Sequence, residues 1–514
     1  MYLKQKSTLT SLLFLTLLLA LSASTSSGQA TPPSSARQLP ASGGQQGSTA
    51  MQQSATPSPT PSVNTLNTQV RVQGAYAGSA LDPNAPTGSI TLTLADAVRR
   101  GLQFNLGKIG ADTASRRAEA QRLAARSVFL PNVSAGLSEN AAKLNLEAEG
   151  LSASTFGAAA SEFPTTAGPF HYYDVRGSLQ QTVMDFTAVH NYHSAKDSAN
   201  AAGLNAIQSR EEVVLAVAGS YLQLMATAAL IDAQRTEVQY AEASYKQAKA
   251  QAEAGNKAPI DANRSLVELQ TEQQRLRSQL GDQQKQKNSL ARLIGLPLGL
   301  DIVISEKLES VPSDDAPAEE YVKRAWAHRQ DLRAAEMQLH AAEESRKAAG
   351  AEHLPSASIN GFYGIQGINP NQGSGVFQAT ASLNIPIFNG GRTHADTAEA
   401  DAVVAERRAE LSNERGAVEL EVRNALIDLA IANEQVSTAE SNRKLAVAIL
   451  QQSQDRFAVG VVDSVEVVNS QQTLASADHD LVSSLFAQNL AKVALAHAMG
   501  EAETGLPDLF KGNK

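Results

Sequence analysis

The chain has 514 residues and a formal charge of −9, and it is 42% hydrophobic but only 5% aromatic, with no cysteine. The acidic balance leaves no basic footprint for nucleic acid, and the missing thiols exclude disulfide frameworks, thiol nucleophiles and zinc–thiolate sites. This length ordinarily means two or three globular domains, yet alanine dominates the apolar set and Trp326 is the single tryptophan. Such a composition suits long, closely packed helices.

In chain order, Lys4 and Lys6 precede the apolar run SLLFLTLLLAL (residues 11–21), and small residues follow to Ala30. That is the order of a secretory signal peptide over residues 1–30, and its apolar core is shorter than the ~20 residues that span a bilayer. A lipid anchor needs a cysteine at the mature N-terminus, so the exported protein is expected not to be lipid-anchored. No later segment reads as a membrane-crossing helix, so strands must hold the protein in any membrane it enters. Residues 31–88, rich in Ser, Thr, Pro, Gln and Gly, read as a disordered, low-complexity leader.

A short strand and an amphipathic helix are predicted in SITLTLADAVRRGLQFN (89–105), after which one pattern runs twice. FLPNVSAGL (129–137) is answered by HLPSASING (353–361), and GSLQQTVMDF (177–186) by ASLNIPIFNG (381–390). AEAGNKAPIDANRSL (252–266) is answered by FAVGVVDSVEVVNSQ (457–471), and LARLIGLPLG (290–299) by VALAHAMGEAE (493–503). The period is too long for a solenoid and marks an internal duplication. The repeats are assigned to residues 89–299 and 318–500, with a connector at 300–317 and a tail at 501–514. The first copy carries extra residues between its strands, at 148–168.

Each repeat reads as helix, strand, loop, strand, long helix, sharp turn, long helix. The strands are predicted at about 131–140, 172–185, 355–365 and 376–387, each long enough for the ~9–11 residues of a tilted transmembrane strand. Alternation is clear in the last, where Phe377, Ala379, Ala381, Leu383 and Ile385 share a face. Twelve of the 24 aromatic residues fall in 129–192 and 354–388, as an interfacial girdle would require. A soluble sheet with an aromatic core is the other reading. Four strands cannot close a barrel and would leave edges that lipid does not tolerate, so the membrane reading requires subunits that share one barrel.

After SLNIPIFNGGR (382–392) the pattern turns helical, from about Thr393 to Phe457. Val418, Val422, Ala425, Leu429, Ala432, Val436 and Ala439 form a heptad seam in a helix roughly 100 Å long. Pro386, Gly390 and Gly391 mark the strand-to-helix junction, where proline ends ladder donation and the glycines let the chain swing. Gly255 and Gly460 are natural left-handed residues at the tips of two helical hairpins. Pro259 suits a first helical turn, and Asp463–Glu466 resembles a capping box.

No catalytic, cofactor-binding or metal-binding set is readable. His190 and His193 form an H-x-x-H without a third ligand placed by the sequence, and GGR at 390–392 lacks the spacing and lysine of a P-loop.

The stretches LNIPIFNGGRTHADTAEADAVVAERRAEL and RFAVGVVDSVEVVNSQQTLASADHDL, with the closing AHAMG, resemble the TolC-like outer membrane factors of tripartite efflux and type I secretion systems. The resemblance covers about residues 90–500, duplication included. It implies a mixed α/β membrane protein: a homotrimer sharing a 12-stranded outer-membrane β-barrel, four strands from each chain, continued by a periplasmic α-helical coiled-coil barrel. The segments near 300–317 and after Glu501 would form an equatorial belt. The protein would sit in the outer membrane of a Gram-negative bacterium and serve as a passive exit duct. Its partners would be a periplasmic adaptor and an inner-membrane efflux pump or ABC exporter, with outer-membrane lipid around the barrel. A periplasmic coiled-coil scaffold without a pore is the alternative.

By resemblance, the hairpin tips form the closed periplasmic entrance and meet the adaptor. Gly255, Val459, Gly460 and Val461 are the expected adaptor contacts. Asp261 and Glu466 stand at the family's acidic positions after each tip glycine, where a trimer would make rings that attract cations. Either acid also opposes the dipole of its helix first turn. The chain departs from the family at Phe457 and Val462, where a tyrosine and an arginine latch the entrance, and at Asn469, a second acidic position. Closure is therefore expected to rely on packing.

Overall fold

The computed structural model describes residues 49–55, 66–86, 88–148, 164–255, 258–310, 316–369, 371–459, 461–462 and 464–509. The signal segment 1–30, most of the loop at 148–168, the tip residue Gly460 and the end of the tail lie outside them.

Two antiparallel strands, β1 (Thr49–Ala55) and β2 (Leu66–Val72), and a 3-10 turn at Gly74–Ala77 come first. They correct the expectation of a structureless leader through residue 88. Composition misses the segment because much of its docking runs through backbone. The N–H of Leu106 donates to Gly78 (2.9 Å), that of Ala80 to Phe104 (2.8 Å), and that of Asp82 to Gly295 (3.0 Å). Tyr76 and Ala85 pack on the main core, and a Cβ at Gly107 would meet the Tyr76 ring at 2.2 Å, so glycine there makes room for the docked segment.

β3 (Ser89–Leu92) pairs in parallel with β6 (Asp301–Ile304). Between them lie α1 (Leu94–Phe104), α2 (Leu106–Ser127), β4 (Asn132–Asn145), β5 (Thr166–Met184), α3 (Phe186–Glu253) and α4 (Pro259–Leu293). The hydroxyl of Thr93 caps α1 by accepting the Asp96 N–H, and the Asp185 carboxylate caps α3 by accepting the Ala188 N–H. After β6 come α5 (Ala318–His328), α6 (Gln330–Ala351), β7 (Ser356–Gly367), β8 (Gly373–Asn384), α7 (Arg392–Ala458), α8 (Ser464–Ala498) and the short α9 (Ala502–Leu509). Helices α1 to α4 have 11, 22, 68 and 35 residues, and α5 to α8 have 11, 22, 67 and 35.

The main core forms where β3 and β6 cross the middle of α3 and the ends of α4 and α8, enclosing Leu92, Val213, Val217, Tyr221, Leu290 and Leu490. The buried Tyr221 hydroxyl donates to the Leu92 carbonyl at 2.9 Å. A second cluster joins α5, α7 and α8 around Tyr321, Val418, Val422 and Leu495. All seven residues of the α7 seam are at most 6% exposed, so the heptad is the packing surface of that helix. Helix α3 is long and apolar enough to cross a bilayer by length and composition, but its apolar window is 72% buried inside the protein. It is a core helix.

Candidate functional site

The principal sheet has the order β4-β5-β7-β8 with every neighbour antiparallel. Register sorts its side chains by polarity, because residues that pair across strands share a face. One set of rows reads Leu137–Val175–Ile365, Ala135–Gly177–Tyr363–Phe377 and Val133–Leu179–Gly361–Ala379. The opposite face reads Ser138–Asp174–Gln366–Ser374, Ser134–Ser178–Phe362–Gln378 and Asn132–Gln180–Asn360–Thr380. On that polar face Arg176 pairs with Asp174 and lies over the Phe362 ring at 4.4 Å. Among the described residues the apolar face has no cover: Leu137, Tyr363 and Phe377 are 77%, 72% and 79% exposed. Among the described residues, β4 and β8 each leave one edge unpaired.

The junction after β8 differs in detail from its sequence reading. The ladder stops at Asn384, before Pro386, and Ile387 and Phe388 then stand 95% and 88% exposed without strand partners. Proline has no N–H to extend the ladder, so the segment leaves the sheet. Gly390 and Gly391 take φ +67° and +87°, and a Cβ on either would meet nothing within 4 Å. Their requirement is backbone conformation alone.

At the first tip Gly255 takes φ +74° and Pro259 opens α4, with Asp261 in the first turn 3.8 Å from Arg264. At the second, Val459 and Val461 are 75% and 66% exposed, and Asn469, exposed, stands three residues after Glu466 in α8. Glu466 accepts a bond from Arg456 at 2.7 Å across the hairpin. That cation, which the sequence reading missed, offsets the charge an acidic ring would present. Phe457 is buried with Leu450, Val467 and Leu474, and Val462 packs against the same cluster. The two residues standing where the family carries its polar latch thus meet in one apolar cluster. The structure also brings the two tips together: Ile260, Val267, Val465 and Val468 line a cleft of about 380 Å³ between α4 and α8.

Farther from the tips, α3, α4 and α8 enclose a cavity of about 550 Å³. Glu237 on α3, 6% exposed, has a carboxylate oxygen there without a hydrogen-bond partner. It faces Glu268, Glu272 and Arg275 on α4 and Asp478, His479 and Asp480 on α8. Burial first, then the charges of Asp478, Glu272 and Glu268, raise its pKa from 4.5 to about 7. A raised acid pKa means the folded state resists ionisation. The contribution of Glu237 to stability is therefore most favourable below pH 4.5, falls as pH rises toward 7, and levels off above it. After allowance for screening at the open side of the cavity, the loss is about 2 kcal/mol per chain. Glu237→Gln is expected to flatten the dependence of unfolding temperature on pH between about 5 and 8 and to be the more stable form at the upper end. Parallel melting curves for the two proteins check this.

An ionic network with Arg329 and His497 buried at its nodes ties α3, α7 and α8 to the α5–α6 junction. Arg329, between α5 and α6, bonds Asp331 at 2.6 Å, Glu421 on α7 at 2.7 Å and the Ala498 carbonyl at 3.3 Å. His497 on α8 lies 3.1 Å from both Glu421 and Glu212 of α3. Glu211 accepts the Ala502 N–H at 2.7 Å and so caps α9.

An exposed apolar sheet face opposite a polar one, joined to long helical hairpins, is the pattern of a membrane-associated protein. The family model described as outer membrane efflux protein matches residues 111–296 and 321–501, and the chain belongs to that family. It is similar to the toluene efflux pump outer membrane protein TtgF of Pseudomonas putida, 26% identical over 385 residues, covering 73% of this chain and 76% of the relative. The fold is shared with the CmeC outer membrane channel of Campylobacter jejuni (TM-score 0.69, 16% identity, 80% of this chain and 86% of that one). It is shared also with the outer membrane protein VceC of Vibrio cholerae (TM-score 0.67, 17% identity, 79% and 96%).

Proposed function

We propose that three copies of this chain close one twelve-stranded barrel, four strands from each, with β8 of one copy pairing to β4 of the next. The sheet carries this reading: among the described residues its apolar face lacks cover and its two outer edges are unpaired, which lipid would not tolerate, and its opposite face bears Asp174 and Arg176. The near-identical helix lengths support an internal duplication, and the hairpins would continue the barrel as a helical tunnel through the periplasm. The protein is an outer membrane efflux channel. It acts as a passive duct, with transport driven by an inner-membrane pump or ABC exporter reached through a periplasmic adaptor.

The adaptor docks on the tips, where Gly255 turns the chain and Val459 and Val461, flanking Gly460 in sequence, offer small apolar knobs near the start of the helix that lines the Ile260–Val465 cleft. Packing of Phe457 with Val462 holds the entrance shut in place of polar bonds. Asp261, Glu466 and Asn469 face the passing solute, with Arg456 moderating the acidic charge. A periplasmic scaffold without a pore would leave the exposed sheet face in water, against the usual limit on apolar patches of soluble proteins.

Planar-bilayer recordings on purified protein test this reading. Discrete cation-preferring conductance steps are expected, with a weaker preference in Glu466→Gln. A bilayer that stays silent, with a protein that salt alone strips from membranes, would favour the scaffold.

A further inference from the structure

We propose that His190, His193 and Glu344 form a binding site for a divalent transition-metal ion of the zinc type, clipping α3 to α6 where both meet the sheet. His190 and His193 are one helical turn apart on the same face of α3. Glu344 reaches them from α6, its Oε2 lying 2.8 Å from His190 Nδ1 and 3.6 Å from His193 Nδ1. One ligand atom from each of the three lies within 4.8 Å of the others. Bonds of about 2.0–2.2 Å in tetrahedral geometry place ligand atoms roughly 3.3–3.5 Å apart, so small rotamer adjustments admit the ion. The third ligand, absent from the H-x-x-H reading, comes from 151 positions beyond His193, which is why spacing alone could not find it.

The surroundings are those of a held site. Lys347 takes the other oxygen of Glu344 at 2.6 Å, which orients the carboxylate and turns Oε2 toward the imidazoles. Its positive charge weakens cation binding without blocking the site. The hydroxyls of Ser194 and Ser345, each adjacent in sequence to a ligand, meet at 2.8 Å and fix the same helix pair. His193 is half exposed, which leaves a fourth coordination position open to water. Two neutral imidazoles and one carboxylate suit Zn²⁺, Ni²⁺ or Cu²⁺ and disfavour Mg²⁺ and Ca²⁺, which take oxygen ligands.

The position gives the ion a structural task. β5 passes through Asp185 directly into α3, and α6 leads within a few residues into β7, the paired neighbour of β5. An ion bridging α3 and α6 fixes the angle at which outgoing and incoming helices leave one side of the sheet. Without it, Glu344 and His190 keep their hydrogen bond and the clip is weaker.

Calorimetric titration of untagged, chelator-treated, detergent-solubilised full-length protein with zinc chloride tests this. The expected result is one Zn²⁺ per chain, no saturable response to magnesium chloride, and affinity reduced at least about tenfold in His193→Ala. Absence of saturable zinc binding, or equal affinity in the variant, overturns the proposal. X-ray absorption on zinc-loaded wild-type protein serves should the variant fail to assemble. Two imidazoles in the inner shell support the site, and one or none overturns it.

Discussion

Replacing Arg329 with alanine is expected to lower unfolding free energy by about 1–3 kcal/mol, because it removes a buried cation shared by two partly exposed carboxylates, one of which keeps His497 as its partner. The guanidinium, 5% exposed, holds Asp331 and Glu421 at once. Burial works against the Glu421 carboxylate, but His497 and Arg329 together hold its pKa down to about 2. His497 is the complementary node. Burial alone would lower its pKa, yet bonds to Glu212 and Glu421 raise it from 6.5 to about 9. A raised histidine pKa contributes stability that is complete below pH 6.5 and lost as pH climbs through 9, about 3 kcal/mol in all. Thermal unfolding of solubilised protein across this range should show the decline in wild type and a lower curve throughout for Arg329→Ala. A variant within about 0.5 kcal/mol of wild type would place the network among inert ion pairs.

The second large effect separates the two sheet faces. Ala379 and Gln378 are neighbours in mid-β8 and point to opposite sides. Ala379→Arg puts a charge in the row of Val133 and Leu179 and is expected to cost about 2–4 kcal/mol at bilayer mid-depth. Gln378→Arg adds the same charge to the polar face beside Ser178 and Phe362 and should be tolerated. The amount of assembled protein in outer-membrane fractions distinguishes them: depleted for Ala379→Arg, near wild type for Gln378→Arg. Equal accumulation would remove the asymmetry on which the lipid-facing assignment rests.

Periodicity and turn residues carried much of this architecture in plain view. The α7 seam was legible because a step of four and three admits only a helix packed along one stripe, and each seam residue is indeed buried. Gly255 and Pro259 announced the first tip through backbone preference alone. What stayed hidden required partners distant in sequence. Glu344 meets His190 and His193 from another helix, and Glu421 meets both Arg329 and His497. His497 lies inside the quoted AHAMG, but nothing local distinguishes a buried charged node from a solvated histidine. Arg456 escaped notice because it pairs with Glu466 only once the hairpin closes. The docking of residues 72–86 was missed because backbone hydrogen bonds leave no mark in composition. The apolar face of the sheet lay between these cases: alternation showed it in β8, while β4, β5 and β7 joined it only through register.

The central claim, that this sheet is a segment of barrel wall with lipid on one side and water on the other, is tested most directly by spin labels placed singly along β8 in reconstituted protein. Labels at residues 377, 379 and 381 are predicted to be relaxed preferentially by oxygen, and labels at 378, 380 and 382 by a water-soluble nickel complex. Accessibility to the nickel complex that is uniform along the strand would contradict it.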